Sequence, residues 1–469
     1  MIAGKTSMER AYSAGDFKNM RVTVVGLGAS GIAACRALKQ VSAEVRASDI
    51  KTAADLGRHA RELEGMGVGL ELGGNSPDFA AGSELVVLSP GVSLENPIVE
   101  WARSRDVPVI SEVELAYCLS DARFVAVTGT NGKTTTTSLI GEMLMKRSDK
   151  VHVCGNIGVP ISQVAGGLGH DHILVVELSS FQLDTCLSFA PEVGVLLNIT
   201  PDHLDRYDTY EQYVASKGRL FANQKSSDIA IVNSDDADCV RASADTDAHK
   251  LYFSLQREVP EGAFIRRGQV VVRADRRERT VFKIDTLKIK GPHNLANSLA
   301  AALAATALGI DDGAVREGLA SFRGLEHRCE PVAEVAGVRY VNDSKATNVD
   351  SVRVALETAE APIILIAGGR DKGGDFGVLA PLVKEKVREI LAIGEASRTI
   401  ERVFSPLTRV RLLRTLDEAV AAAHDIAPPG STVLLSPGCA SYDMFENFEE
   451  RGRAFKRAVL GLTGERGTE

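Results

Sequence analysis

The plainest chemistry in this chain lies in Gly129-Thr130-Asn131-Gly132-Lys133-Thr134-Thr135. These residues follow the apolar run Phe124-Val125-Ala126-Val127 and open a stretch that reads as a helix, which gives the order strand, glycine turn, helix. Successive backbone N–H groups in such a turn, with the positive end of the helix dipole behind them, favour a polyphosphate. The glycines let the main chain wrap it, Lys133 reaches the β- and γ-phosphates, and Thr134 or Thr135 holds magnesium. A Gly-Lys-Thr triplet also occurs in ordinary loops, and the strand before it separates the two readings. The loop thus points to ATP or GTP and phosphoryl chemistry, and leaves the reaction open.

A second glycine turn, Gly26-Leu27-Gly28-Ala29-Ser30-Gly31, follows the short β-branched run at 21–25, and Asp49 ends the next strand. This is the dinucleotide-binding fingerprint, with an acid about 20 positions after the glycines. Alone it would suggest an NAD-dependent oxidoreductase, a class that leaves Lys133 idle. The turn reports a diphosphate rather than nicotinamide, and a UDP-sugar presents the same group. The apolar run at 85–88 leads into Ser89-Pro90-Gly91, either a plain turn or part of the ligand edge of an open α/β sheet.

Other candidates are less specific alone. Glu177 ends the run Ile173-Leu174-Val175-Val176, where a carboxylate can take magnesium directly or through water. His203, in the polar cluster 198–207, is a metal ligand or a loop histidine. By spacing, Lys217 is one of the water-facing lysines of an amphipathic helix at 211–220. Asn294 and Asn297 stand at the start of an Ala-rich helix, which offers free donors.

These groups need a framework. At 469 residues the chain suggests about three domains. Residues 1–112 read as a Rossmann-like unit. Residues 113–323 read as a P-loop ATPase-type parallel sheet with a small antiparallel portion near 258–289, and residues 324–469 as another Rossmann-like unit. The expected fold class is therefore three-domain α/β, with buried parallel strands read from unbroken apolar runs.

A formal net charge of -8 argues against nucleic acid or an acidic membrane as the main partner. Seven scattered cysteines without a C-x-x-C pair read as reduced thiols. With no apolar leader and no run long enough to span a membrane, a cytoplasmic protein is expected, and it is taken as a monomer.

Three C-terminal segments give the reaction: Asn342-Asp343-Ser344-Lys345-Ala346-Thr347-Asn348, Gly368-Gly369-Arg370-Asp371-Lys372-Gly373, and 435–448, which runs from Leu435-Ser436-Pro437-Gly438 to Glu446-Asn447-Phe448. With the phosphate loop they resemble the Mur ligases of peptidoglycan synthesis, over residues 22–455 and in the family's order. The resemblance implies an amide ligase with a UDP-binding first domain, an ATP-binding centre and a Rossmann-like third domain. It is greatest to the members that add D-glutamate to UDP-N-acetylmuramoyl-L-alanine. The third segment and 342–348 argue against the other Mur ligases and folylpolyglutamate synthases, and a nucleotide switch without chemistry leaves them unexplained.

Residue by residue, the resemblance implies that Gly129, Thr130, Asn131, Gly132, Lys133, Thr134 and Thr135 hold ATP. Thr134, Glu177, His203 and a carbamylated Lys217 hold two magnesium ions; this reverses the spacing-based reading of Lys217. Asn294 and Asn297 lie by the adenine, Arg328 meets the γ-phosphate, and Asp343 and Lys345 face the nucleotide and the forming acyl phosphate. Lys133, His203, Lys217 and Arg328 form the catalytic set. Ser30, Ser89, Gly91, Asn156 and Ser179 receive the UDP-sugar; Thr347, Lys372, Ser441 and Phe448 receive D-glutamate. Two departures stand out: Asp49-Ile50-Lys51 fits the pattern around the uracil only loosely, and Gly369-Arg370-Asp371-Lys372 varies the pattern around its lysine.

Overall fold

The computed structural model describes residues 10–202, 206–274, 277–371 and 373–462, so the expected site residues His203 and Lys372 lie outside the described residues. It is an α/β protein with three sheets. The first comprises β1 (Arg21–Val25), β2 (Glu44–Asp49), β3 (Gly69–Leu72), β4 (Leu85–Leu88) and β5 (Val109–Ser111). All are parallel, in the order β3-β2-β1-β4-β5. Val22, Val24 and the whole of β4 are buried, as runs covered on both faces must be.

The second sheet has nine strands: β6 (Arg123–Thr128), β7 (Val151–Gly155), β8 (Ile173–Glu177), β9 (Val193–Leu196), β10 (Ile229–Asn233), β11 (His249–Ser254), β12 (Gly262–Arg266), β13 (Gln269–Ala274) and β14 (Arg277–Lys283). Their order is β14-β13-β12-β11-β10-β9-β6-β8-β7. Pairing is parallel from β7 to β12 and antiparallel for β12-β13-β14, which accounts for the charged stretch expected as an antiparallel excursion. Helix Lys133–Met145 packs on this sheet and buries Leu139, Ile140, Met143 and Leu144. Each such side chain contributes about 1.5–3 kcal/mol when buried, so the phosphate loop is fixed at both ends.

The third sheet comprises β15 (Glu330–Val335), β16 (Val338–Asn342), β17 (Ile363–Gly368), β18 (Val387–Ile393), β19 (Arg409–Leu412) and β20 (Thr432–Leu435), in the order β15-β16-β20-β17-β18-β19. Only β15 is antiparallel to its neighbour. Because β16, β20 and β17 are adjacent, the three C-terminal segments leave neighbouring strand ends despite their separation in sequence.

The chain forms two compact units. One contains the first two sheets (Met1–Ile199, Glu211–Leu287, Leu295–Phe322), and the other contains the third (Thr200–Tyr210, Lys288–Asn294, Arg323–Glu469). Among the described residues no helix is long and apolar enough to cross a membrane. All seven cysteines are free thiols.

Candidate active site

The phosphate loop joins β6 to helix Lys133–Met145. Gly129 (φ 153°) and Gly132 (φ 85°) occupy backbone conformations that side chains rarely adopt. A Cβ on Gly129 would also meet Leu197 Cβ at 3.1 Å and the Asn198 backbone at 3.3 Å, and one on Gly132 would run into the Asn297 amide. Asn198 shapes the loop: its backbone carbonyl accepts the Thr130 N–H at 2.9 Å and its Oδ1 accepts the Asn131 N–H at 2.8 Å. Its side-chain Nδ2 donates back to the Asn131 carbonyl at 2.9 Å.

Two lysines meet this loop. Lys133 Nζ donates to the carbonyls of Gly129 and Thr130 at 2.9 and 2.8 Å. Lys217 Nζ donates to the same Gly129 carbonyl at 2.9 Å and lies 4.6 Å from the centre of the Tyr213 ring. Tyr213 in turn pairs its hydroxyl with that of Thr130 at 3.0 Å. Lys217 is only 2% exposed, so the water-facing position suggested by spacing is wrong, and the lysine belongs to the loop.

Glu177 ends β8 in register with Val127 of β6 and is 2% exposed. One carboxylate oxygen accepts from Asn156 Nδ2 at 2.8 Å; the other is buried with no hydrogen-bond partner among the described residues. Thr135 Oγ1 is likewise buried and without a partner among the described residues. Leaving a carboxylate oxygen dry and unpaired is costly, and a cation beside it removes the cost. This donor set fits magnesium, a hard ion that takes oxygen ligands.

Asn156 also lines a cavity of about 640 Å³ over the carboxyl ends of the first sheet. Ser30, Ser89 and Gly91 line it too, so four of the five residues expected at the UDP-sugar meet there. The fifth, Ser179, is not among the lining residues; it caps helix Ser180–Leu183, and its hydroxyl donates to Gln182, which does line the cavity. Ser89 Oγ donates to the Gly26 carbonyl at 2.7 Å, and a Cβ on Gly31 would collide with that same carbonyl. The turn thus stays narrow only with glycine at 31.

The Asp49-Ile50-Lys51 segment lines the cavity despite its loose fit to the expected pattern. Asp49 is 6% exposed, and its carboxylate accepts the backbone N–H groups of Leu27 and Lys51. It therefore braces the glycine turn.

In the other unit, Asp343 is buried, and its oxygens accept the Cys329 N–H at 3.1 Å and the Ser436 hydroxyl at 2.8 Å. Burial pushes its carboxyl up to about 6, against the opposing pull of the Arg328 charge and these two donors. The carboxylate ties segment 342–348 to 435–448 and to the Arg328 loop. Lys345 Nζ lies 5.3 Å from the centre of the Phe448 ring, and Thr347 follows at the same strand end. Ser441 is buried, and its carbonyl accepts the N–H groups of Met444 and Phe445.

Arg328 and Asn294 line a separate cavity of about 630 Å³, and Arg328 Nε is buried without a hydrogen-bond partner among the described residues. Beside them, burial holds His293 down at about 4, helped by the charges of Arg328 and Arg353. Asn297, on the same helix as Asn294, instead lies against Gly132.

Sequence reasoning missed Arg451. It is 1% exposed and donates to Ser344 Oγ and O at 3.0 and 2.8 Å and to the carbonyls of Cys439 and Ala440 at 3.1 and 3.3 Å. It joins two of the C-terminal segments from within helix Phe448–Leu462. Its neighbours Glu449, Glu450, Arg453 and Lys456 make the stretch read as a solvated face, so nothing in the sequence marks it.

Comparison with known proteins matches this architecture. The family descriptions "Mur ligase MurD-like, N-terminal domain", "Mur ligase middle domain" and "Mur ligase, glutamate ligase domain" match residues 20–111, 127–305 and 327–439. A protein of Caldanaerobacter subterraneus subsp. tengcongensis named UDP-N-acetylmuramoylalanine--D-glutamate ligase is 44% identical over 451 residues, covering 95% of this chain and 99% of its own. One of the same name from Alkaliphilus metalliredigens is 42% identical over 465 residues, with the same coverage. Among solved structures, UDP-N-acetylmuramate-alanine ligase MurC from Thermotoga maritima superposes with a TM-score of 0.59 at 20% identity, over 94% of this chain and 99% of that one. A pseudomurein peptide ligase type C from Methanothermus fervidus gives 0.59 at 18% identity, over 95% and 100%. These two share the fold, and the near full-length relatives extend the match to sequence: the chain belongs to the Mur ligase family.

Proposed function

We infer that this protein is an ATP-dependent amide ligase that joins D-glutamate to UDP-N-acetylmuramoyl-L-alanine, with 1–112 as its UDP-sugar domain, 113–323 as its ATP domain and 324–469 as its amino-acid domain. The observation that carries the reading is Asn156, which lines the diphosphate cavity and donates to Glu177 at the edge of the phosphate loop. A substrate anchored in that cavity thereby ends beside a phosphoryl donor. The name shared by the two relatives supplies the substrates.

A carboxylate is a poor electrophile, so the reaction begins with activation. An oxygen of the alanyl carboxylate attacks the γ-phosphorus of ATP, the bond to the β-phosphate oxygen breaks, and ADP leaves. The amine of D-glutamate then attacks the acyl carbon, phosphate departs with the original carboxylate oxygen, and the nitrogen loses a proton. In such transfers the protein mainly neutralises charge and aligns the reactants.

Lys133, with Gly129, Thr130, Asn131 and Gly132 of the loop around it, holds the β- and γ-phosphates, and Arg328 meets the transferring group. Asn294 and Asn297 hold the nucleoside end, and Asp343 and Lys345 border the phosphoryl group. Thr134, Glu177, His203 and Lys217 would hold magnesium, which would supply positive charge to the phosphate oxygens. Carbamylation of Lys217 turns a cation into an anionic oxygen ligand while leaving one N–H for the Gly129 carbonyl. Ser30, Ser89, Gly91, Asn156 and Ser179 orient the UDP-sugar; Thr347, Lys372, Ser441 and Phe448 orient D-glutamate.

The acyl phosphate leaves an isotopic signature. With UDP-N-acetylmuramoyl-L-alanine labelled with ¹⁸O in the alanyl carboxylate, one label passes into the released phosphate for each amide formed. Unlabelled phosphate from a reaction that makes the amide would rule out activation at that carboxylate.

A further inference from the structure

Two buried carboxylates that the proposed chemistry does not use lie where the first sheet hands over to the second. Glu112 (1% exposed) and Glu114 (0% exposed) open helix Glu112–Cys118 directly after β5. Ser111 caps the turn, its Oγ accepting the Glu114 N–H at 3.2 Å. One Glu112 oxygen accepts the Ser162 N–H at 2.5 Å, and the other is buried with no hydrogen-bond partner among the described residues. Glu114 accepts the N–H groups of Leu187, Ser188 and Phe189 at 3.0, 2.9 and 2.9 Å, and the Ser188 hydroxyl as well.

The donors have a common address. Ser162 comes two residues after Pro160, and 187–189 follow the helix that carries Gln182; Pro160 and Gln182 both belong to the second-sheet wall of the 640 Å³ cavity. The opposite wall, from Gly26 to Asn96, comes from the first sheet. Among the described residues neither glutamate pairs with a cation. Burying a carboxylate costs several kcal/mol, and apolar residues of similar volume often pack at least as well, so stability is a poor reason for two acids here. Direction is a better one. A carboxylate accepting several N–H groups fixes where a loop lies, which an apolar contact does not.

We propose that Glu112 and Glu114 are positioning residues that hold the second-sheet wall of the cavity at a set distance from the first-sheet wall, and so govern affinity for the UDP-sugar without touching it. This rests on the reading of that cavity as the UDP-sugar site. Burial pushes the Glu112 carboxyl upward, against the N–H groups of Ser162 and Ile161. Glu112→Gln therefore retains an oxygen for Ser162 at little cost, whereas Glu112→Leu fills the same volume and leaves that N–H unpaired.

The test is calorimetric titration of UDP-N-acetylmuramoyl-L-alanine, and separately of magnesium-ATP, into the full chain and the two variants. Glu112→Leu should weaken UDP-sugar binding by about tenfold, the effect of one buried donor left unpaired, with magnesium-ATP affinity changed by less than about twofold. Glu112→Gln should stay within about threefold of wild type for both ligands. Should Glu112→Leu fail to fold, Glu114→Gln replaces it: both Glu114 oxygens accept N–H groups, so the amide NH2 must face one set of donors, and the same split is expected. Unchanged UDP-sugar affinity in the substituted chain, or equal loss of both ligands, overturns the proposal alone. A wild-type chain that binds magnesium-ATP but not the UDP-sugar overturns the cavity reading, and the proposal with it.

Discussion

Lys133→Ala should lower turnover by about 10³-fold, the scale of losing one preorganised charge from a phosphoryl-transfer site. The lysine opens the helix that follows the phosphate loop, and its ammonium is anchored on the Gly129 and Thr130 carbonyls. Charge held there opposes the negative charge that concentrates on the γ-phosphate in transfer, and costs no reorganisation when the reaction occurs. UDP-sugar affinity should be unchanged, because Lys133 is not among the residues lining that cavity. Steady-state kinetics with a parallel UDP-sugar titration check both halves, and an active variant would remove Lys133 from its assigned role.

Lys217→Ala should be nearly as damaging, with a loss of at least about 10²-fold, and in addition it should be partly rescued by small added carboxylates. Lys217 is 2% exposed and reaches the loop through Gly129. An ammonium there would repel a metal ion, whereas its carbamate would bind one. Removing the side chain leaves room for a small carboxylate to supply the missing oxygen. Formate and acetate titrated into the variant reaction measure this; full activity in the unsupplemented variant contradicts the carbamate.

The two lysines differ in how openly the sequence shows them. Lys133 sits in a motif whose spacing is its chemistry. Lys217 sits on helix Tyr210–Gly218, where periodicity says only that one face is buried. The signal was present: Tyr213 and Val214, four and three residues earlier, are both buried, and residues at those spacings share a face. Family resemblance, not spacing, drew Lys217 into the site.

The fold was legible wherever strands are buried on both faces, as in β4, β8 and β17. In the third sheet the unread strands were its edges. β15 contains Pro331 and has no fully buried residue, and β19 reads Arg-Val-Arg-Leu; both close the third sheet at its margins. Edge strands carry prolines and charges that interior strands exclude, so their apolar signal is weak. Asp49 shows a different limit. The fingerprint correctly put an acid at the cavity, but nothing in the sequence says that its oxygens are taken by the Leu27 and Lys51 amides.

The central claim is that the phosphate loop, the diphosphate cavity and the 435–448 segment serve a single amide-forming reaction. The measurement closest to it is ADP release by the purified chain with each substrate omitted or replaced in turn. ADP should form at the full rate only with magnesium-ATP, UDP-N-acetylmuramoyl-L-alanine and D-glutamate together. Comparable turnover with L-glutamate or glycine in place of D-glutamate would contradict the account.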